Sequence, residues 1–397
     1  MSKDIYNFTG EYNKKTFCVA PFLSLDISTA GVLTPCCEYV TDNTYRADPE
    51  NSFKNYQQWQ AKLVDLRKDL INGVANKGCS RCWQREESSL ENSYRYTLNK
   101  WYHRDIIDKK FSEDSAHDTR ILAVNFGNTC NLKCLHCGPS SSSSHESEQR
   151  VHRQEFERDG FYIVGDQEKK WFKTSTFSEL KTNLIQGLDQ ISLYGGEPLM
   201  TPEALKFLGE VDASNIRLLL TTNATIVNDQ ILDLLGSFKS ISICISIDGV
   251  GKHAEYIREG CVWEEVDENI KKLQGLKNLF HGYVAVNHVL QHSSIYTMMD
   301  VLDYCERNNL RMHCGYLNWP DHLSINGARS ESVSKLIEHL HARREYHTSI
   351  NVGSAVQQAL MFLSKHQYDP SLELRFGQHT NLLDRIRNKS YNDVFDI

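Results

Sequence analysis

The sequence of 397 residues lacks any long hydrophobic run, and this absence argues against several classes of protein. No apolar stretch approaches the roughly 20 residues that a membrane-spanning helix requires. The amino terminus, Met-Ser-Lys-Asp-Ile-Tyr-Asn, has no apolar core of the kind that signal peptides contain. The net charge of −7 is not the basic surplus of a large nucleic-acid interface. We therefore expect a cytoplasmic protein with no membrane segment and no nucleic-acid partner.

Cysteine, in contrast, is abundant, and its distribution indicates metal ligation. Eight of the twelve cysteines fall in tight clusters, while Cys244, Cys261, Cys305 and Cys314 are scattered. Because the chain is long and lacks an export signal, a secreted disulfide scaffold is disfavoured. Clustered cysteines in a reducing compartment are typical of metal sites. Composition therefore predicts a globular protein that carries one or more metal centres.

The densest cluster consists of Cys130, Cys134 and Cys137, separated by three and then two residues. This spacing lets one short loop place three thiolates at three corners of an iron–sulfur cube and leave the fourth iron open. Closed clusters use four protein ligands, whereas an open iron can bind a substrate or cosubstrate. A zinc site or a closed cluster with a distant fourth ligand is the alternative that the residues leave open.

Three further motifs follow this loop in a fixed order along the chain. They are Tyr194-Gly-Gly-Glu-Pro198, Thr222-Asn223 after a strand, and Ser246-Ile-Asp248-Gly after the next strand. With the cysteine loop behind the apolar run 121–126, this ordered set resembles the radical S-adenosylmethionine (SAM) superfamily. The resemblance implies a [4Fe–4S] cluster, SAM bound at the open iron, and reductive cleavage of SAM to a 5′-deoxyadenosyl radical.

The resemblance also implies a set of cofactor-binding residues, for some of which the sequence leaves a structural alternative. The residues expected near SAM are His136, Gly195, Gly196, Glu197, Pro198, Thr222, Asn223, Ser246, Asp248, Arg258 and Asn287. His136 is expected against the adenine, and Arg258 against the carboxylate. Strand-end capping is the alternative for Thr222 and Asn223, and a surface ion pair is the alternative for Arg258. Cys314 is a candidate hydrogen donor, with a small buried hydrophobe as its alternative.

A second group of cysteines lies near the amino terminus and comprises Cys18, Cys36, Cys37, Cys79 and Cys82. The pattern from 23 to 34 predicts a β-hairpin, which would bring Cys18 near Cys36 or Cys37. These segments resemble twitch and SPASM domains, and the resemblance implies an auxiliary [4Fe–4S] cluster. Five cysteines for four irons leave the choice between Cys36 and Cys37 open. A four-cysteine zinc ribbon is the alternative.

The alternation of strands and helices from 121 to 315 predicts six βα units. We expect an α/β protein: a partial (β/α)6 radical SAM barrel at 116–325, an α+β auxiliary-cluster domain before it at 1–115, and a helical extension after it at 326–397. A helix is predicted at 58–72 and a charged linker or partner surface at 100–119. The serine run 140–144 predicts a flexible or capping segment, with contact to SAM or substrate as the alternative.

The predicted function is that of a radical SAM enzyme, of oxidoreductase or modification type, that takes hydrogen from a peptide or small polar substrate. The auxiliary cluster would transfer electrons or bind substrate. A flavodoxin or ferredoxin would act as reductant. The competing class is a non-catalytic zinc or iron–sulfur interaction scaffold, because fold alone does not establish function.

Overall fold

A computed structural model shows two compact units. The described residues are 16–40, 52–87, 93–108, 111–163, 171–172, 182, 184–276, 282–346 and 351–396. The first unit comprises Met1–Gly127 and Glu168–Leu193, and the second comprises Asn128–Gln167 and Tyr194–Ile397. The predicted division at 115 and 325 remains a prediction. None of the helices in the described ranges is both long and apolar enough to cross a membrane.

Strands and helices alternate along much of the described chain. The strands are β1 (Ser24–Ile27), β2 (Leu33–Thr34), β3 (Ile121–Val124), β4 (Lys133–Cys134), β5 (Gln190–Leu193), β6 (Arg217–Thr222), β7 (Ser240–Ser246), β8 (Arg258–Glu259), β9 (Tyr283–Leu290) and β10 (Arg311–Tyr316). The helices are α1 (Ala20–Leu23), α2 (Ser52–Ile71), α3 (Ser80–Glu86), α4 (Tyr94–Trp101), α5 (His103–Asp108), α6 (Ser143–Val151), α7 (Arg153–Arg158), α8 (Pro202–Glu210), α9 (Asp229–Gly236), α10 (Lys252–Ile257), α11 (Trp263–Gln274), α12 (Ser294–Arg307), α13 (Ser330–Tyr346), α14 (Gly353–Leu363), α15 (Pro370–Arg387) and α16 (Tyr391–Phe395).

In the first unit, the strands follow the order β2-β1-β3-β5. Strands β1 and β2 pair antiparallel, which confirms the predicted hairpin. Strands β1 and β3 pair parallel, as do β3 and β5. All four residues of β3 are apolar and buried, as expected of a strand covered on both faces. The hairpin therefore continues the sheet that contains the first predicted barrel strand.

Helix α2 shows how the first unit buries its apolar side chains. Trp59, Leu63, Leu66 and Leu70 recur at helical spacing and all are buried, which confirms the predicted helix. The segment 100–119, predicted as a linker or partner surface, contains helix α5, and its predicted role remains a prediction. This helix is charged on its outer side but turns Ile106 inward, where it is 2% exposed.

In the second unit, the four strands β10, β9, β7 and β6 pair parallel in that order. All six strands predicted for the barrel are thus present in the described chain. They confirm a mixed α/β fold with a parallel sheet. The completion of these strands into a partial barrel, with an auxiliary domain before it and a helical extension after it, remains a prediction.

The two faces of the sheet in the second unit differ in polarity because side chains alternate along a strand. One face of the sheet is apolar and buried, and by register it carries Leu220, Ile243, Ile245, Val286 and Met312. The opposite face is half-buried or exposed, and it carries Thr221, Cys244, Ser246, Asn287 and His313. The second face is therefore polar and open to a ligand.

The carboxyl-terminal helices complete the core of the second unit. Helices α13 and α14 confirm the predicted helical stretches at 333–346 and 354–367. Asp369 is the N-cap of α15, because its carboxylate accepts a hydrogen bond from Ser371 N at 2.8 Å. Pro370 occupies the first helical position. Phe376 from α15 and Tyr391 from α16 pack in one apolar cluster with Phe156 and Tyr256.

Candidate functional site

The three thiols of the cysteine loop lie together in the second unit. Cys130 and Cys134 are buried and Cys137 is half-buried. The thiols of Cys134 and Cys137 form a hydrogen bond. Cys134 belongs to β4, which pairs antiparallel with β8 and places Cys134 opposite Arg258. The structure thus brings together the three residues that the sequence singled out.

Arg258 acts directly on the middle cysteine of the loop. Its Nη1 atom donates to Cys134 Sγ at 3.6 Å. The hydrogen bond from Cys137 lowers the pKa of Cys134, burial raises it, and the charge of Arg258 lowers it further, to a net value of about 7. Because the thiolate is the form that binds metals, this arrangement favours the ligating state of Cys134.

Cys130 has a different environment. Its Sγ atom accepts hydrogen bonds from Leu132 N at 3.4 Å and from Asn223 Nδ2 at 3.9 Å. Burial raises its pKa to about 11. Hydrogen bonds to sulfur tune the reduction potential of an iron–sulfur cluster, so these two donors are suited to a cluster ligand.

The serine run after the loop holds the loop in place. Ser142 Oγ donates to Leu132 O at 2.5 Å and caps the first turn of α6. Ser144 Oγ donates to Cys130 O at 2.8 Å, and Ser143 Oγ accepts from Cys130 N at 3.1 Å. The capping prediction is therefore confirmed, and the serines additionally fix the backbone of the cysteine loop. Contact with SAM or substrate remains a prediction.

The Gly-Gly-Glu-Pro segment packs against the same loop. A Cβ atom added at Gly196 would lie 2.4 Å from Thr129 O, which is closer than any side chain tolerates. Gly195 has a φ of 140°, in a region that L residues rarely adopt. Glu197 N donates to Thr129 O at 2.7 Å. In this structure the glycines thus permit close approach of the cysteine loop, and Pro198 begins a buried 3-10 turn.

The carboxylate of Glu197 joins this segment to the end of β6. It is 1% exposed and accepts hydrogen bonds from Leu199 N at 3.0 Å, Thr222 Oγ1 at 2.7 Å and Asn223 N at 2.7 Å. Burial raises its pKa and these donors oppose the rise. The strand-end alternative for Thr222 and Asn223 therefore describes their observed contacts. Their predicted contact with SAM remains a prediction.

Asp248 and Arg258 form a buried ion pair of 2.6 Å between Oδ2 and Nη2. Asp248 is fully buried and also accepts a hydrogen bond from Val289 N at 2.9 Å. Burial raises the pKa of Asp248, but Arg258, His136, His288 and the hydrogen bond from Val289 N together outweigh it, so the pKa lies below its ordinary value. Arg258 thus forms an ion pair, as the alternative predicted, but the pair is buried and does not lie at the surface.

Three further polar side chains surround this pair. His136 Nε2 lies 3.8 Å from Asp248 Oδ2, and Gln291 Nε2 lies 3.4 Å from His136 Nδ1. His288 Nδ1 lies 3.9 Å from Asp248 Oδ1. Burial lowers the pKa of His136 to about 4. His288 and Gln291 were not predicted. Asn287 and His288 are adjacent polar residues in an otherwise apolar strand, which was a usable signal, but only Asn287 was chosen from that pair.

The comparison with protein families agrees with this arrangement. Residues 124–293 match the family model described as the radical SAM superfamily. The match relates this segment of the chain to the radical SAM superfamily. The matched segment contains the cysteine loop, the Gly-Gly-Glu-Pro turn, the Asp248–Arg258 pair and β9.

Two curated relatives are similar to part of the chain. The GTP 3′,8-cyclase of Synechocystis sp. is 28% identical over 147 residues, which are 36% of this chain and 38% of that protein. The AdoMet-dependent heme synthase of Methanosarcina barkeri is 30% identical over 130 residues, or 33% of this chain and 31% of that protein. The chain thus spans about a third of the length of each curated relative.

Solved structures of radical SAM proteins are also similar to the chain. Native anSMEcpe with bound AdoMet has 13% identity and a TM-score of 0.41, covering 56% of this chain and 59% of that one. Streptococcus suis SuiB bound to its precursor peptide SuiA has 14% identity and a TM-score of 0.39, covering 84% of this chain and 71% of that one.

The residues around the three thiols fit the [4Fe–4S] cluster that a radical SAM protein requires. Thiolates are the ligands that iron–sulfur clusters use, and Arg258 Nε is a buried donor that lacks a partner within the described chain. No three cysteine, histidine, aspartate or glutamate side chains in the described ranges meet as they would around a single metal ion. A cube holds each of its three thiolates on a separate iron atom rather than around one ion.

The remaining predicted residues fall on different faces of the sheet. Ser246 and Asn287 are register partners on the polar face. Cys314 is the register partner of His288, and it shares the buried face with Met312. It is 5% exposed, and burial raises its pKa to about 12. This placement agrees with the small-hydrophobe alternative for Cys314, and its role as hydrogen donor remains a prediction.

The amino-terminal cysteines lie close together in the first unit. The Cys36 thiol interacts electrostatically with those of Cys37, Cys18 and Cys82, and the Cys79 thiol with those of Cys18 and Cys82. The Cys37 thiol interacts with that of Cys82 as well. Of the two adjacent cysteines, Cys37 is the more exposed. Both of them therefore lie near the other three, and the ligand choice between Cys36 and Cys37 stays a proposal.

Proposed function

We propose that the chain is a radical SAM enzyme that acts on a peptide or small polar substrate. The observation that carries this proposal is the grouping of Cys130, Cys134 and Cys137 beside a buried arginine within the segment that matches the family model. When bound, the cluster and SAM supply a 5′-deoxyadenosyl radical that abstracts hydrogen from the substrate. A reduced flavodoxin or ferredoxin is the electron donor that we propose.

The residues of the chain have distinct tasks in this proposal. The serines of α6 and the Gly-Gly-Glu-Pro turn hold the cysteine loop. Arg258 keeps Cys134 as a thiolate, while Asp248 fixes the guanidinium through their 2.6 Å ion pair. His136 stays neutral because burial holds its pKa near 4, and a neutral imidazole can stack against an adenine without repelling the sulfonium of SAM.

The polar face of the sheet supports a substrate site next to SAM. Ser246 and Asn287 offer a hydroxyl and an amide from neighbouring strands, and His313 lies at the level of Asn287 on the next strand. Such groups bind polar substituents and orient a substrate. We propose this face as the surface on which substrate lies during hydrogen abstraction.

The proposal is tested by anaerobic reconstitution of the full chain with iron and sulfide, followed by reduction and addition of SAM. We expect 5′-deoxyadenosine and a cluster signal that SAM perturbs. Cys134→Ala should abolish both, because a ligand is lost. Cys305→Ala is the matched control, since Cys305 is equally buried but lies on α12. Cleavage of SAM by Cys134→Ala would contradict the ligand assignment.

Metal analysis separates the enzyme from the non-catalytic scaffold. Iron with an equal amount of sulfide supports the enzyme, because [4Fe–4S] clusters contain both. Zinc without sulfide at both cysteine groups would support the scaffold, since four-coordinate closed sites are typical of structural zinc. A reconstituted protein that binds iron and sulfide but yields no 5′-deoxyadenosine would also remove the enzymatic claim.

We further propose that Cys18, Cys36, Cys79 and Cys82 hold the auxiliary cluster of a twitch-like domain, in which electron transfer is favoured over substrate binding. A full set of four thiolates leaves no open iron for a ligand. Cys36→Ser should remove about half of the iron, whereas Cys37→Ser should remove none. Equal iron loss in the two variants would contradict the choice of Cys36.

A further inference from the structure

Lys133 is the charged residue in the gap between Cys130 and Cys134, and its side chain lies between two carboxylates. Its Nζ atom lies 2.9 Å from Glu148 Oε1 and 3.8 Å from Glu259 Oε1. Lys133 and Glu259 are also register partners in the pairing of β4 with β8. The middle of the cysteine loop is therefore tied by charge to α6 on one side and to β8 on the other.

Each of these two carboxylates has a second cation, and both cations lie at the carboxyl end of α15. Arg387 binds Glu148 through two hydrogen bonds, from Nε to Oε1 at 3.1 Å and from Nη2 to Oε2 at 2.7 Å. Lys389 Nζ pairs with Glu259 Oε2. Asn388 stands between the two cations as the C-cap of α15, with a φ of 52° in the left-handed region that ends many helices. This turn lets the two cations reach different carboxylates.

The pair of Arg387 and Glu148 is buried, with 4% and 5% of the two side chains exposed. Burial raises the pKa of Glu148, but the hydrogen bonds and charges of Arg387 and Lys133 outweigh it, so the pKa lies below its ordinary value. Salt screens a buried pair little, and removal of either partner leaves an uncompensated charge in the interior. The position of Glu148, and with it the position of Lys133, therefore depends on Arg387.

The other two residues of the gap are held by neutral groups of other elements. Asn131 Oδ1 accepts a hydrogen bond from Asn223 Nδ2 at 3.1 Å, and Leu132 O accepts one from Ser142 Oγ at 2.5 Å. Lys133 is the residue of the gap that ion pairs connect to α15. This connection joins parts of the chain that are far apart in sequence, because Arg387 and Glu148 are separated by 239 positions.

The network also places charge near a cluster ligand. Its three cations and two carboxylates sum to one positive charge. The pKa of Cys134 responds first to the hydrogen bond from Cys137, then to burial and Arg258, and the charge of Arg387 lowers it as well. Arg387 therefore lies within electrostatic range of this thiol, and a positive charge at such a place favours the more negative, reduced state of a cluster.

From these contacts we infer that the carboxyl end of α15 positions the ligands of the SAM-binding cluster. Arg387 and Lys389 hold Glu148 and Glu259 in place, and these carboxylates fix Lys133 between two of the three thiols. The inference rests on the proposed function, because the cluster is part of that proposal. The two cations are positioning residues, since they act through the carboxylates and donate no hydrogen bond to a thiol within the described chain.

The test uses the full chain and first follows hydrogen exchange of the segment 130–137 before metal is added. We expect Lys133→Met and Arg387→Met each to raise the exchange rate of this segment about tenfold or more. Lys133→Met keeps the pair of Arg387 and Glu148, so its denaturant midpoint should not change, which separates loop positioning from global stability. The double variant should exchange no faster than Lys133→Met alone, because Arg387 acts on the loop through Lys133.

Arg385→Met is the matched control, because Arg385 lies in the same turn of α15 but pairs with Asp159 at 2.5 Å. It should leave exchange of the segment unchanged. After reconstitution with iron and sulfide, the reduction potential of the cluster that SAM perturbs should fall in Lys133→Met and Arg387→Met and stay constant in Arg385→Met. Loss of a nearby positive charge disfavours the reduced cluster.

Equal exchange in Arg387→Met and Arg385→Met would overturn the inference. Unchanged exchange in Lys133→Met would overturn it as well, and so would a double variant that exchanges faster than Lys133→Met. These outcomes do not depend on SAM cleavage, because exchange is measured on the metal-free chain. A chain that shows the expected exchange pattern but forms no 5′-deoxyadenosine would refute the proposed function alone, whereas SAM cleavage with unchanged exchange in all variants would refute this inference alone.

Discussion

Arg258 connects the two halves of the candidate site through two contacts. One nitrogen of its guanidinium donates to Cys134 Sγ and another pairs with Asp248. The guanidinium is buried, so neither contact is screened by water or salt. Burial of such a pair is tolerated only while both partners are present. Substitution of Arg258 should therefore affect both a thiol and the stability of the fold.

We expect Arg258→Gln to raise the pKa of Cys134 in the metal-free chain, because the neighbouring cation is lost. The uncompensated Asp248 should lower the free energy of unfolding by about 3–5 kcal/mol. Ultraviolet thiolate absorbance against pH measures the first effect, and denaturant unfolding measures the second. Arg343→Gln removes the ion pairs of another arginine with the more exposed carboxylates of Asp303 and Glu306, and it should leave the Cys134 pKa unchanged. An unchanged thiol titration in Arg258→Gln would refute this role.

Among the elements of the second unit, helix α6 does more than cover the core. Its first turn presents three consecutive hydroxyls to the backbone of the cysteine loop. Three small side chains that each accept or donate locally fit this task, because serine favours helix caps over helix interiors. The loop is thus held by an element that follows it directly in the chain.

We expect the triple variant Ser142→Ala, Ser143→Ala and Ser144→Ala to lower the free energy of unfolding by about 1–2 kcal/mol through loss of the cap. Reconstitution should also yield less iron per chain, because the loop loses its restraints. The double variant Ser140→Ala and Ser141→Ala is the control, since both residues are exposed. Full iron incorporation by the triple variant would show that the serines do not position the loop.

The Gly-Gly-Glu-Pro turn after β5 also restrains the cysteine loop. In Gly196→Ala the new Cβ would fall 2.4 Å from Thr129 O, a backbone atom that cannot move alone. We expect a loss of stability and of bound iron, measured by denaturant unfolding and iron analysis. Gly236→Ala places its Cβ 3.9 Å from the nearest atom and should have neither effect. Normal iron content in Gly196→Ala would contradict the close packing.

At the level of elements, the local sequence pattern predicted individual strands and helices better than it predicted which strands pair. The strand β3 follows from a continuous apolar run and the helix α2 from apolar residues at a period of 3.6. The parallel pairing of β1 with β3 was not predicted, because its partners Leu25 and Leu122 lie far apart in the chain. Helix α5 was not predicted, because Ile106 stands among charged neighbours and gives too little periodicity.

Across the whole molecule, many histidines are buried without charge. Burial lowers the pKa of His145, His292 and His322 to about 4 each. The ordinary pKa of a histidine is about 6.5. Between about pH 4 and about pH 6.5, these histidines are therefore protonated in the unfolded chain and neutral in the folded chain. The stability from these groups is present above about pH 6.5 and is lost as pH falls towards 4.

We therefore expect the free energy of unfolding to decrease on acidification from about pH 7 to about pH 5, by roughly 1–2 kcal/mol per buried histidine. His145→Leu should reduce this slope, because neither ring nitrogen of His145 has a partner within the described chain and leucine does not titrate. Denaturant unfolding at a series of pH values measures the effect. His339→Leu, at an exposed histidine, should retain the full slope.

The sequence by itself determined which residues are the candidates for the chemistry. The gaps between Cys130, Cys134 and Cys137 and the period of the strands are local properties, and local geometry follows directly from local sequence. The tertiary structure alone decided which groups meet these residues. Arg258 reaches Cys134 across 124 positions, and Glu197 reaches Thr222 across 25. Such contacts depend on how strands are ordered and paired, and no short stretch of sequence encodes that order.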